Sequence, residues 1–192
     1  LCGWEHVQLT EKTIRVNQEG LLLDISGIAT GYILDQMFHA MQSLDEHPLL
    51  IDIGGDIRLG PPPPEKSGWR ISVAGLSKDS PPLMELVLKN CALTTSGDRN
   101  QYFEHQLVRY SHLIDARKRQ PLTYSQSCTV VAANAIDADA GATAMSVLGR
   151  TCDDPQFQSL HLNDCIYLEG ITSNPLKPSG AIRYKRFTTA SW

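Results

Sequence analysis

Polar and apolar residues alternate along the start of the chain, where Val7 and Leu9, then Ile14 and Val16, flank Thr10-Glu11-Lys12. A period of two belongs to strands with one face on a core. Together with Leu21-Leu22-Leu23 it predicts a short antiparallel meander, turned at Asn17-Gln18-Glu19-Gly20. The period then changes, and Ile33, Met37, Phe38 and Met41 recur at helical spacing to about Ser43. Small residues at 26, 27, 29 and 31 precede that run. This predicts a strand, a glycine-containing turn and a helix N-terminus, an arrangement that offers backbone N–H groups to an anion. Strands return at 49–53, 69–73, 83–88 and 91–95. Gly54-Gly55 marks a bulge, a kink or a close backbone approach, and Pro61 to Pro64 form an extended surface connection. Ser96-Gly97-Asp98 reads as a turn, and Tyr102-Phe103 with 107–110 as a hairpin leading into 111–115. Strands at 127–132, 166–168 and 182–192 complete the set, and the fold class expected is α+β in one domain with flanking helices.

The longest helix-like pattern after the first covers 136–149, rich in Ala and ended by Gly149. Asp139 and Thr143 lie four apart, so a carboxylate and a hydroxyl share one face. Ile136, Ala140, Ala144, Val147 and Leu148 form the expected packing face, while Ala138, Gly141 and Ala142 leave room for something to approach the backbone. A hard cation such as Mg²⁺ takes oxygen ligands, few of them from the protein, and Asp139 with Thr143 suits it. The same pair also suits a plain helix, in which Asp139 favours the macrodipole and Thr143 is half-buried. Among six histidines, His112 stands between apolar flanks with Asp115 three residues on, able to orient an imidazole for acid–base work. A satisfied surface histidine at a strand end is the alternative.

Composition narrows the field. With 192 residues, 42% hydrophobic and 20% charged, the chain can bury one sizeable core. Its net charge of −4 argues against non-specific nucleic-acid binding, and the densest basic run, Arg117-Lys118-Arg119, falls in an expected turn. No run of 18 apolar residues exists to span a membrane. Five cysteines without a C-x-x-C pair resemble neither a zinc site nor a dense disulfide framework, although one disulfide stays possible. The start, Leu1-Cys2-Gly3-Trp4, shows no initiator Met or signal-peptide pattern, so the chain is expected to begin inside a folded unit. The glycines do not form G-x-G-x-x-G, so no dinucleotide fingerprint of the Rossmann kind is present.

Four stretches, in this order, resemble the ApbE family of flavin transferases. They are 24–35 (Asp-Ile-Ser-Gly-Ile-Ala-Thr-Gly-Tyr-Ile-Leu-Asp), 53–57 (Ile-Gly-Gly-Asp-Ile), 93–98 running on to 110–115, and 137–144 closed by Leu148-Gly149. The resemblance covers nearly the whole of 1–192, as one ApbE-like domain, but only the later two-thirds or so of a typical family domain. It implies Mg²⁺-dependent transfer of FMN from FAD to a Thr or Ser of an acceptor protein, with release of AMP. The implied metal ligands are Asp139, Thr143 and the main-chain carbonyl of Ala29, and His112 is the implied general base. Ser26, Gly27, Ile28, Ala29, Ser96, Gly97, His112, Leu113 and Ile114 would line the FAD site. Two departures stand out: Thr30 replaces the family's usual Lys, and the N-terminal part that walls the flavin pocket is expected to be missing. An FAD pyrophosphatase and a non-catalytic flavin-binding scaffold are therefore the alternative readings. Resemblance also implies a periplasmic or membrane-associated setting.

Overall fold

The computed structural model describes residues 3–43, 48–149, 153–171 and 181–188. In chain order the elements are β1 (Val7–Leu9), β2 (Ile14–Val16), α1 (Ser26–Gln42), β3 (Leu50–Ile53) and β4 (Asp56–Leu59). Next come β5 (Trp69–Val73), β6 (Met84–Leu88), β7 (Cys91–Gly97), β8 (Tyr102–His105) and β9 (Val108–Ser111). β10 (Ile114–Asp115), β11 (Gln120–Pro121), β12 (Gln126–Ala132), α2 (Ala135–Leu148), β13 (Leu162–Ile171) and β14 (Ala181–Thr188) follow. Six strands form one antiparallel sheet in the order β14-β13-β12-β7-β4-β3.

Every residue of β12 is buried because both faces of the sheet are covered. Cys128, Val130 and Ala132 point toward the helices and pack with Leu34, Phe38, Ala138, Ala142 and Met145. Val131 points the other way, joining Leu93, Ile166 and Leu168 against Ile71, Val73, Leu86 and Leu88 of the β5–β6 ribbon. That alternation divides the molecule into two cores, one on each side of the sheet.

Most elements stand where the pattern predicts, with instructive differences. α2 ends at Gly149, whose φ of 64° is left-handed and whose N–H reaches the Met145 carbonyl. Its buried face, however, is Ala135, Ala138, Asp139, Gly141, Ala142, Met145 and Ser146. Ile136, Ala140, Ala144, Val147 and Leu148 are only half-buried, with Ala144 and Leu148 packed against the core from its margin. The helix lies so close to the sheet that small side chains fit beneath it; a Cβ at Gly141 would stand 3.2 Å from Leu162 Cδ2. The room at 138, 141 and 142 is filled by the sheet and its neighbours.

Leu21-Leu22-Leu23 is not a strand, Leu22 is 90% exposed, and β1–β2 is a lone hairpin. α1 begins at Ser26, so the small residues at 26, 27, 29 and 31 lie inside the helix instead of in a turn before it. Leu34 and Phe38 enter the core, whereas Ile33, Met37 and Met41 face outward. Gly54 and Gly55, with φ of 66° and 103°, make the two-residue turn between β3 and β4. Positive φ at both central positions matches the twist of a tight hairpin and favours glycine. Ser96 and Gly97 continue β7 instead of turning. Cys91, Cys128 and Cys165 are buried free thiols, while Cys2 and Cys152 lie outside the described residues. The predicted last strand is β14 as far as Thr188; its remainder also lies outside them.

Candidate active site

The site is built where α1 crosses α2. A Cβ at Gly31 would stand 2.4 Å from the Ala135 carbonyl oxygen, so a glycine is required for the two backbones to meet there. The Gly31 N–H donates to Asp139 Oδ2 at 2.9 Å, leaving Oδ1 without a hydrogen bond among the described residues. Asp139 is 7% exposed. Burial pushes its carboxyl above the ordinary value, and the Gly31 N–H acts in the opposite sense. One turn on, Thr143 Oγ1 donates to Ser96 Oγ at 3.4 Å, and Ser146 Oγ donates to the Ser96 carbonyl at 3.0 Å. β7 thus meets α2 through Ser96.

A second carboxylate stands near Asp139. Asp56, at the start of β4, is pushed up to about 6 by burial first, then by the charges of Asp139 and Asp52, against a hydrogen bond from the Thr95 backbone. The sequence pattern contained Asp56 in its second stretch, yet spacing alone gave no sign that β4 lies beside α2. Because the folded carboxyl is raised, the folded state holds the proton more tightly than the unfolded one. Asp56 therefore costs stability increasingly as pH rises from about 4 to about 6, and fully above that. Asp56→Asn should gain stability relative to the parent at pH 7.5 but not at pH 4, measured by urea unfolding without divalent cations. An equal difference at both pH values would contradict the assignment.

Between the start of α1, the outer face of α2 and the 114–117 turn lies a cleft of about 410 Å³. Gly27, Ile28, Ile114, Thr143, Ala144 and Val147 are among its walls. The half-buried side of α2 thus lines a cleft, with Ala140, Ala144, Val147 and Leu148 along it. At the cleft's entrance, Asp115 is taken up by Arg117, whose Nε and terminal nitrogen lie 2.9 and 2.7 Å from its two oxygens. Arg117 holds the Asp115 carboxyl down to about 2. That commitment corrects the expectation that Asp115 orients His112.

His112 is exposed, and both its backbone N–H and its Nδ1 face the Gln101 carbonyl, at 3.2 and 3.1 Å. A carbonyl oxygen only accepts, so Nδ1 carries the proton of the neutral ring and Nε2 keeps the lone pair. The loop bearing His112 is anchored from below. Asp98, fully buried, receives Arg109 Nε at 2.5 Å, the Gln126 N–H at 3.1 Å and Ser125 Oγ at 3.3 Å. The Arg109 guanidinium also donates to the Asp98 carbonyl at 2.8 Å and lies 3.4 Å from the Tyr102 ring centre. This buried pair ties β7, β9 and β12 together. The sequence pattern predicts only a turn at Asp98, because a partner eleven residues away leaves no periodic signal.

Kinship with known proteins follows the same segments. A family model described as the ApbE family matches residues 1–157. The chain belongs to the ApbE family. It is 33% identical over 151 residues to the FAD:protein FMN transferase of Vibrio cholerae, covering 78% of this chain and 45% of that protein. It is 29% identical over 170 residues to the FAD:protein FMN transferase of Haemophilus influenzae, covering 86% and 48%. The crystal structure of the ApbE protein of Thermotoga maritima superposes with a TM-score of 0.75 at 29% identity, covering 94% of this chain and 57% of that one. The chain therefore spans about half the length of the curated relatives it matches. Its α+β architecture is the ApbE fold.

Set against this fold, the residues singled out from sequence lie in different settings. Gly27, Ile28, Ile114 and Thr143 share the cleft, with Ser96 bonded to Thr143 and Asp139 a turn away. Gly97 and Leu113 have structural duties: a Cβ at Gly97 would meet the Gln126 carbonyl at 2.6 Å, and Leu113 is buried. Ile28 and Ala29 also border an apolar hollow of about 280 Å³ with Tyr32, Ile33 and Ile136, and Thr30 is half-buried on α1. At the start of α1, the Ser26 N–H is taken by Asp24 Oδ1 at 2.9 Å and the Ala29 N–H by the Ile25 carbonyl at 3.0 Å. The helix N-terminus is thus largely satisfied from within the chain. Among the described residues no group of three or more His, Cys, Asp or Glu side chains is placed to hold a metal ion.

Proposed function

We propose that this chain carries the catalytic centre of an FAD:protein FMN transferase that works with Mg²⁺. The observation that carries the reading is the convergence of Thr143, Gly27, Ile28 and Ile114 on one cleft, with Asp139 behind it and His112 two residues before Ile114. The donor chemistry fits a hard cation. Among the described residues Asp139 keeps one unbonded carboxylate oxygen, Thr143 supplies a hydroxyl, and the Ala29 carbonyl is the third protein ligand of the reading. A site made of one carboxylate, one hydroxyl and one carbonyl is compatible with the lack of a His/Cys/Asp/Glu cluster among the described residues. When bound there, Mg²⁺ would neutralise pyrophosphate charge and the charge that develops on it.

The chain's own groups supply the rest. The mostly apolar cleft is the place for FAD, with Ser26, Gly27, Ile28, Ala29, Ser96, Gly97, His112, Leu113 and Ile114 as the surrounding residues. His112 Nε2 takes the proton of the acceptor's Thr or Ser hydroxyl, and that oxygen attacks the phosphorus of the FMN half. The bond from this phosphorus to the bridging oxygen breaks, and AMP leaves with that oxygen. With water in place of the protein hydroxyl, the same groups would make an FAD pyrophosphatase. Family kinship points to a periplasmic or membrane-associated setting; no helix among the described residues is long and apolar enough to cross a membrane.

Calorimetric titration of FAD into the protein, with and without Mg²⁺, tests the reading. The parent should bind FAD more tightly with Mg²⁺. Asp139→Ala should lose that gain by more than the roughly 10–100-fold typical of changes one layer further from a metal, with its fold unchanged by circular dichroism. Affinity indifferent to Mg²⁺ in the parent would overturn the metal site. Incubation with an acceptor peptide then separates transfer from hydrolysis: flavinylated peptide supports the transferase, and AMP without it the pyrophosphatase.

A further inference from the structure

We propose that Asp35 is a positioning residue, which holds α2 at the height on α1 where Asp139 presents its free oxygen. The part concerning Mg²⁺ rests on the function proposed above. Asp35 is buried on α1, and its carboxylate oxygens accept from the N–H groups of Ala135 and Ile136 at 3.0 Å. These are the first two residues of α2. The local cap, Asn134, accepts from the third N–H, that of Asp137, at 2.8 Å. Asp35 thus completes a cap that the local sequence leaves unfinished, from 100 residues earlier in the chain. Arg58 of β4 triangulates it. Arg58 Nε lies 3.1 Å from Asp35 Oδ1, and its guanidinium sits 4.4 Å from the centre of the Phe38 ring.

The Asp35 contact is one of two matched rungs. Gly31 and Asp35 lie one turn apart on α1; Ala135 and Asp139 lie one turn apart on α2. At one rung an α1 carboxylate accepts from the α2 backbone; at the other an α2 carboxylate accepts from the α1 backbone. Neither helix can slide along the other without breaking both. Asp35 is not among the residues that line the cleft, so it acts through the helix that bears Asp139 and Thr143.

Asp35→Asn keeps the side-chain shape and one acceptor oxygen but removes the charge; should it fail to fold, Asp35→Glu, which keeps the charge beside Arg58, takes its place with the same readouts. The first readout needs no ligand: amide hydrogen exchange at Gly31, compared with Val130 and Ile166 in the central sheet. The expected result is exchange at Gly31 at least tenfold faster, with the sheet amides unchanged. The second is FAD titration with and without Mg²⁺, where the Mg²⁺-dependent gain should shrink while affinity without Mg²⁺ is retained. Unchanged protection at Gly31, or equal acceleration at all three amides, would overturn the positioning role. A parent protein indifferent to Mg²⁺ would overturn the proposed function alone, because the Gly31 comparison still decides whether Asp35 sets the helices.

Discussion

Asp98→Ala should cost about 3–5 kcal/mol of folding stability, the range found when one partner of a buried ion pair is removed. Asp98 is fully buried and Arg109 is 3% exposed, so the guanidinium would remain in the interior with its counter-charge gone. The Gln126 N–H and Ser125 Oγ would lose an acceptor at the same time. For a chain of this size each kcal/mol moves the melting temperature by roughly 2–4 °C, so the midpoint should fall by about 10 °C. Thermal unfolding followed by circular dichroism reads this directly. Asp98→Asn, which keeps an acceptor for the Gln126 N–H, should fall between parent and Ala. A loss under 1 kcal/mol for Asp98→Ala would mean that Arg109 finds solvent, and that the pair does not anchor the loop carrying His112.

His112→Ala should lower the rate of flavin transfer by about 10²–10⁴-fold, the usual worth of a positioned general base, and leave FAD affinity close to the parent's. The asymmetry follows from the geometry. Nδ1 is committed to the Gln101 carbonyl and the ring is exposed, so its removal takes away Nε2 without opening the core. Single-turnover transfer to an acceptor peptide at saturating FAD, beside calorimetric FAD affinity, separates the two effects. Equal losses in rate and affinity would make His112 a pocket residue, and an unchanged rate would remove it from the chemistry.

The helices and strands with clear periodicity were legible in advance because their signal is local. α2 announces itself by its alanines and ends at Gly149, where the chain needs a left-handed residue. β12 was recognisable as the strand at 127–132 that feeds α2. Leu21-Leu22-Leu23 misled because apolarity alone does not create a pairing partner, and β1–β2 stays a two-stranded hairpin that it does not join. The inward face of α2 was misread for a related reason. Ile136, Ala140, Ala144, Val147 and Leu148 form the expected packing face, but the closeness of helix and sheet gives the innermost places mostly to small residues, with Met145 the large exception.

What the sequence determined by itself is most of the elements, the α+β class and the spacing that puts Asp139 and Thr143 on one face of one helix. Only the tertiary structure decided what those residues meet. Gly31 lies 108 positions from Asp139, Asp35 lies 100 from Ala135, and Ser96 lies 47 from Thr143. Period and propensity describe neighbours within a turn or a strand; contacts such as these arise when the sheet brings distant segments together. They decide which carboxylate is buried and, among the described residues, which of its oxygens stays unbonded.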